Sequence, residues 1–242
     1  MPWFEKAISA FWLSVPETPA IVGVGWLSLT IIIYLGVVWL RRRYGAHPLT
    51  TPVLLASLPL GIILSVMDLD FTDYAQGGDL LAWFILPATV SMAIPLYDHF
   101  DLLRRHFRAI FAAILAGSIS SVGTALAIGY LFGLSPDILA SLATKSVTTP
   151  IAIHLTYEMG GIGALSAAIV IITGVFGIVT APYLFRLTKL SDTRAQGLAY
   201  GLAATAIGTS DALRQSGLMG SFAVVALGVN GILTGFILPL LF

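Results

Sequence analysis

Long stretches of this chain carry no charged side chain, among them Thr18 to Leu40, Ala109 to Pro136, Met159 to Phe185 and Gln215 to Phe242. Each is long enough for a helix to cross the hydrocarbon core of a bilayer, which takes about 20 mostly apolar residues. Backbone polar groups have no water to bond inside a membrane, so such stretches must be helical or line a closed barrel. The runs are continuous rather than alternating, which favours helices. Only 10% of the 242 residues are charged, against 57% hydrophobic; a soluble domain carries roughly 25%. The expected fold class is an all-α polytopic membrane protein.

Six spans are expected, at 19–40, 49–66, 80–98, 107–132, 161–187 and 218–242. Two further apolar segments, 135–158 and 195–216, are interrupted by polar residues and helix breakers. Residues 1–18 read as an interfacial segment, with Trp3, Phe4, Phe11 and Trp12 as anchors beside Glu5 and Lys6. Residues 19–242 form one transmembrane domain. Pro87 to Pro95 faintly echoes Leu202 to Thr209, which leaves open an inverted repeat with halves 19–132 and 135–242.

Cytoplasmic loops collect Lys and Arg. Arg41 to Arg43 put the end of the first span inside, and Arg104, Arg105 and Arg108 put the end of the third inside. The fourth span then exits at Gly133 to Asp137. If 135–158 crossed the membrane, Arg186, Lys189 and Arg194 would lie outside. A re-entrant hairpin keeps them inside. Ser135 is its expected N-cap with Pro136 at the first helical position, and that half-helix runs to about Ser146. Thr149 caps a second half-helix from Pro150 to about Met159, and Gly160-Gly161 closes it. The second interrupted segment is expected to break at Gly208-Thr209-Ser210-Asp211.

The polar residues inside these segments are the candidate site. A lysine at membrane depth is costly and is tolerated mainly where it binds something. Lys145, Ser146, Thr148, Thr149 and the helix start at Pro150 combine a mobile cation, hydroxyl donors and a helix N-terminus, which suits a small carboxylate. The alternative is a snorkelling lysine and a plain cap. Gly208, Thr209, Ser210 and Asp211 form the second cluster. Asp211 is read as a proton carrier, a sodium ligand or the partner of Lys145, or more simply as the i,i+3 partner of Arg214. Supporting polar positions are Thr89 and Ser91 between two prolines, the lone amide Asn230, and His154, which shares a helix face with Glu158. A plain proline kink and interhelical glue are the simpler readings of the first two. His47, His99 and His106 have no metal-ligand spacing. No phosphate-binding loop, nucleophile elbow or HExxH helix is present, so an enzyme is not expected and no cofactor is implied beyond a coupling ion, proton or sodium. Net charge is zero, which gives no basic field for nucleic acid. Packing surfaces at the midplane leave a homodimer open.

Several of these runs together resemble the LrgB/CidB family of bacterial membrane proteins. They are Pro87-Ala-Thr-Val with Ala93-Ile-Pro-Leu-Tyr97, Lys145-Ser-Val-Thr-Thr-Pro-Ile-Ala152, Ile207-Gly-Thr209 with Ala212-Leu213, and Gly228-Val-Asn-Gly231. The resemblance covers about residues 17–242. It implies a multi-pass protein of the bacterial cytoplasmic (inner) membrane, related to a plastid carrier of glycolate and glycerate. It also implies a transporter of small organic acids of the glycolate, glycerate or pyruvate kind. The family was first described as antiholin-like, modulating murein hydrolase activity and lysis, often with a small LrgA/CidA-type membrane partner. The chain departs from the usual family pattern at Thr205, Asp211 and Arg214.

Overall fold

The structure is a computed structural model that describes residues 21–44, 52–69, 74–75, 77–78, 81, 84, 87, 90–91 and 93–242. The expected interfacial segment 1–18, Thr89 and much of the expected span 80–98 lie outside the described residues. The chain forms two compact units, 1–89 and 90–242. All regular structure among the described residues is helical.

The first unit contains α1 (Ile21–Tyr44), which ends on Arg41, Arg42 and Arg43, and α2 (Pro52–Val66), which carries Pro59 inside it. These two helices pack on each other. At 15 residues, α2 is shorter than the expected span 49–66 and falls short of a full crossing.

The second unit opens with two short helices, α3 (Ala93–Asp98) and α4 (Phe100–Arg105). It continues with α5 (Phe107–Leu131), α6 (Pro136–Ala143), α7 (Thr149–Glu158) and α8 (Gly163–Leu187). Then come α9 (Thr193–Ala203), α10 (Thr205–Gln215) and α11 (Gly217–Ile237), closed by a 3₁₀ turn at Leu238–Leu240. Among the described residues, four helices are long and apolar enough to cross a membrane: α1, α5, α8 and α11. Their surfaces carry exposed Ile32, Leu131, Ile172 and Phe236, as lipid-facing helices require.

Helices α6 and α7 form the first hairpin. At 1.5 Å per residue their 8 and 10 residues span roughly 12 and 15 Å, half a hydrocarbon core or less. Its two ends meet. A Cβ on Gly161 would lie 2.9 Å from the Asp137 carbonyl oxygen and 3.0 Å from Ala140 Cβ. The Ile162 amide donates to Ser141 Oγ at 2.8 Å. A spanning segment would hold these ends roughly 30 Å apart, so 135–158 enters and leaves on one side. Glycines at positive φ flank it: Gly133 at 67° stops α5, and Gly160 at 73° stops α7, conformations that glycine adopts without steric cost.

Helices α9 and α10, of 11 residues each, form the second hairpin. The chain turns at Thr205, at φ 54°. Gln215 Nε2 comes back to within 3.4 Å of Tyr200 Oη, so α10 folds along α9. This corrects the expected break at Gly208–Asp211. Those four residues sit inside α10, and Gly208 is there because a Cβ would lie 2.4 Å from Ala204 Cβ and 2.6 Å from the Tyr200 carbonyl oxygen. Glycine marked a tight approach rather than an interruption. The hairpin is clamped to α11 by two further close approaches. A Cβ on Gly197 or Gly201 would meet the carbonyl oxygens of Met219 and Ala223 at 2.3 and 2.2 Å. Tyr200, Ala204, Ala212, Met219 and Ala223 build the buried cluster at this interface with Ile178 of α8.

Candidate functional site

The two hairpins enter from opposite ends of α8, and their tips converge on shared helices. Val147 of the first tip packs with Val170 of α8; Ala204 of the second tip meets Gly174, its carbonyl oxygen 3.2 Å from a Cβ built there. On α11, Asn230 bonds the first tip, while Ala226 lies against Gly201 beside the second, 2.8 Å from a Cβ built there. Four residues separate the contacts on each helix, so the tips sit roughly one helical turn apart, about 6 Å along either axis.

The first tip is an irregular turn, Thr144 to Thr148. Lys145 and Val147 donate their amides back three residues, to Leu142 and Thr144 at 3.3 Å each. The half-helix therefore stops at Ala143, short of the expected Ser146. Thr148 rather than Thr149 occupies the N-cap position of α7, with extended φ −68° and ψ 146°, and its side chain makes no cap bond. Thr149 is the first helical residue, and Pro150 has no amide to satisfy. The first-turn amides of a helix have no intrahelical partner, so this N-terminus keeps free donors.

Lys145 is half-buried. Its ammonium donates to Ser121 Oγ at 2.6 Å and to Ser146 Oγ at 3.2 Å, and the two hydroxyls are 2.8 Å apart. Asn230 Nδ2 donates to the Ser146 carbonyl at 2.6 Å, and the single Ser118 hydroxyl proton is within reach of both Asn230 Oδ1 and the Ile114 carbonyl. Lysine, serines and asparagine thus join the hairpin tip to α5 and α11. Among the described residues the ion pairs are His154–Glu158 and Asp192–Arg194, so no carboxylate neutralises Lys145. Behind the tip lies a second, fully buried group: Thr144 Oγ1 meets Thr156 Oγ1 at 3.0 Å and Ser166 Oγ at 2.7 Å. It fixes α6, α7 and α8 to one another without charge.

Of the expected residues, Lys145, Ser146 and Asn230 are brought together, with Thr148, Thr149 and Pro150 next to them in the chain. The second cluster stands apart. Thr209 and Ser210 spend their hydroxyls on the carbonyls of Thr205 and Ile207 within α10, at 2.9 Å each. Asp211 accepts from Gln215 at 3.0 Å, and it pairs with neither Arg214 nor Lys145. His154 lies 3.4 Å from Glu158 on an exposed face of α7, away from the tip. Ser91 is exposed in a helical stretch. Ser118 and Ser121 are additions to the expected set. Their i,i+3 spacing in the run Gly117-Ser-Ile-Ser-Ser places them on one helix face, and that spacing was a legible signal. No group of three His, Asp or Glu side chains gathers to hold a metal among the described residues.

This architecture defines an all-α, multi-pass membrane protein built around two re-entrant hairpins whose tips converge on α8 and α11. The chain belongs to the LrgB-like family, whose sequence profile matches residues 30–242. It is similar to the Bacillus subtilis protein YwbG, 33% identical over 88% of this chain and 94% of that one, and to YxaC of the same organism, 30% identical over 88% and 93%. It is also 27% identical to the holin-like protein CidB of Staphylococcus aureus, over 89% of this chain and 93% of the relative. No solved structure matches the chain significantly.

Proposed function

We propose that this protein carries small organic acids of the glycolate, glycerate or pyruvate kind across the bacterial cytoplasmic membrane. One observation carries the reading: the Lys145 ammonium, at the tip of a re-entrant hairpin, is held among the described residues by hydroxyls alone. A cation withdrawn from water without a counter-charge is expensive. A carboxylate arriving at the tip supplies that charge. It also meets the free amides at the start of α7 and the helix dipole behind them. The hydroxyls of Ser121 and Ser146 donate or accept as needed, so they serve the site both empty and filled.

Binding shifts a two-state carrier only by the difference in affinity between its states. The hairpin tips provide such a difference, because each is anchored to α8 and α11 rather than to the other through polar bonds. Rocking of one hairpin would open Lys145 to one side and then the other. Thr209, Ser210 and Asp211, on the second hairpin, are the proposed contributors to the coupling-ion step, with a proton or sodium at the Asp211 carboxylate.

Uptake of labelled glycolate, pyruvate and lactate into proteoliposomes, with and without a proton gradient, tests the proposal. Saturable uptake above protein-free liposomes supports it; none, from folded protein, sinks it. The name of the holin-like relative favours a second reading, a regulator of murein hydrolase activity and lysis acting through an LrgA/CidA-type partner. That reading expects Lys145→Ala to be tolerated in a lysis assay and expects activity to depend on the second protein.

A further inference from the structure

Away from the Lys145 site, the second unit carries two hollows that share a wall. One is an apolar groove of about 250 Å³ lined by Leu96, Phe100, Phe107, Phe111, Val225 and Val229, with Arg104 at its edge. The other is an open hollow of about 460 Å³ lined by the consecutive residues 104–109, among them Arg104, Arg105, His106 and Arg108. Arg104 and Phe107 belong to both. A cluster of cations therefore borders an apolar trough.

We infer that this continuous surface binds one anionic phospholipid, its phosphate among Arg104, Arg105 and Arg108 and an acyl chain along the groove. The charges are available: all three arginines are exposed, and none is in an ion pair among the described residues. Asp101, one turn earlier on α4, is exposed and pairs with none of them, while Asp192 is occupied by Arg194 at 2.6 Å. Guanidinium forks match phosphate oxygens bidentately, which an ammonium cannot do. The apolar part also fits. From Phe107 to Ile114 the groove follows α5 for roughly 10 Å, within the ~15 Å depth of one leaflet's acyl chains. Phe100 and Phe107, at 56% and 63% exposure, offer an apolar surface that a lipid tail would cover. The arginine-rich end is the one expected on the cytoplasmic side, where anionic headgroups attract juxtamembrane cations.

The test uses the full chain in an uncharged detergent, with native mass spectrometry after adding phosphatidylglycerol or phosphatidylcholine of matched acyl chains. The expected result is one retained phosphatidylglycerol at concentrations where phosphatidylcholine is lost. Removing Arg104 and Arg108 as alanines lowers its occupancy about fivefold per arginine. Val229→Trp, which fills the groove and keeps every arginine, lowers it as well. Circular dichroism and gel filtration show that each variant is folded, and Val225→Phe replaces Val229→Trp if the larger side chain disrupts the fold. Equal retention of the two lipids overturns the inference, as does unchanged retention in either class of variant. Competition by glycerol phosphate as strong as by the lipid would reduce the site to an anion patch and overturn the groove. A lipid-free dimer that Val229→Trp dissociates would assign the groove to a second copy of the chain instead.

Discussion

Asn230→Ala isolates the bond that holds the first hairpin tip on α11. Asn230 is 1% exposed and Ser146 2% exposed, so water does not replace what is lost. The carboxamide makes two bonds, donating to the Ser146 carbonyl at 2.6 Å and accepting from Ser118 Oγ. They are not equally costly to break. Ser118 keeps the Ile114 carbonyl at 2.8 Å as a second acceptor, whereas the Ser146 carbonyl has no other polar partner among the described residues. An orphaned buried acceptor costs about 1–3 kcal/mol, while an average interhelical side-chain bond in a membrane protein is worth about 0.6 kcal/mol. Together these give a loss of about 2 kcal/mol. For a chain of this size that lowers the melting temperature by about 4–8 °C. The assay is thermal unfolding in detergent of Asn230→Ala and of Asn230→Leu, which keeps side-chain volume and removes the polarity. Both should melt lower, and both should carry substrate less well because Ser146 shares Lys145. Ser118→Ala orphans the other end of the carboxamide, Asn230 Oδ1, and should cost about 1–3 kcal/mol as well, but the bond from Asn230 to the Ser146 carbonyl survives it, so the tip stays anchored and uptake should be kept. Melting of both Asn230 variants within a degree of the wild type would refute the anchoring of the tip.

Other consequences follow from the same packing. Gly201→Ala places a Cβ 2.2 Å from the Ala223 carbonyl oxygen, whereas Gly228→Ala meets nothing within 4 Å. The first should destabilise by about 1–3 kcal/mol and the second should be neutral in the same melting assay. Thr144→Val keeps shape and removes the hydroxyl that Thr156 and Ser166 share, at an expected cost of about 1–2 kcal/mol. At the start of α9, hydrogen bonds from the Arg194 guanidinium and amide hold the Asp192 carboxyl down, from 3.8 to about 2. A depressed carboxyl stabilises the folded state above its ordinary pKa, and the contribution is lost as pH falls through the folded value. Asp192 should therefore stay ionised at about pH 3, and Arg194→Ala, which removes the guanidinium but keeps the amide donor, should raise its pKa part of the way toward the ordinary carboxylate range, as read from carbon-13 shifts of labelled aspartate.

Much of this architecture was legible in the sequence, because charge-free runs and arginine placement obey strong physical rules. The first hairpin followed from Ser135-Pro136, from Gly160-Gly161, and from the need to keep Arg186, Lys189 and Arg194 on one side. The second was harder. Gly208 looked like a break, yet it allows α10 to lie against Ala204 and Tyr200, while the turn falls on Thr205, a residue type that gives no signal for a positive φ. The site divided in the same way. Lys145 stood out because a cation in an apolar run is costly, and Asn230 because a lone amide there needs a partner. Ser121 carried only the weak signal of its i,i+3 spacing from Ser118, since serines in membrane helices commonly bond their own backbone, as Ser118 does in part. Asp211 drew attention through its charge, but its partner Gln215 lies one turn along the same helix, and sequence alone does not decide between a local and a distant partner.

Uptake by Lys145→Ala proteoliposomes, beside the wild type and Lys145→Arg, tests the central claim most directly. If Lys145 supplies the charge that meets the substrate carboxylate, saturable uptake of the best wild-type substrate should vanish in Lys145→Ala, with the variant folded and inserted. Lys145→Arg should keep a part of it, because the charge remains while the geometry changes. Wild-type uptake retained undiminished in Lys145→Ala would contradict the account, because the cation at the hairpin tip would then have no part in binding.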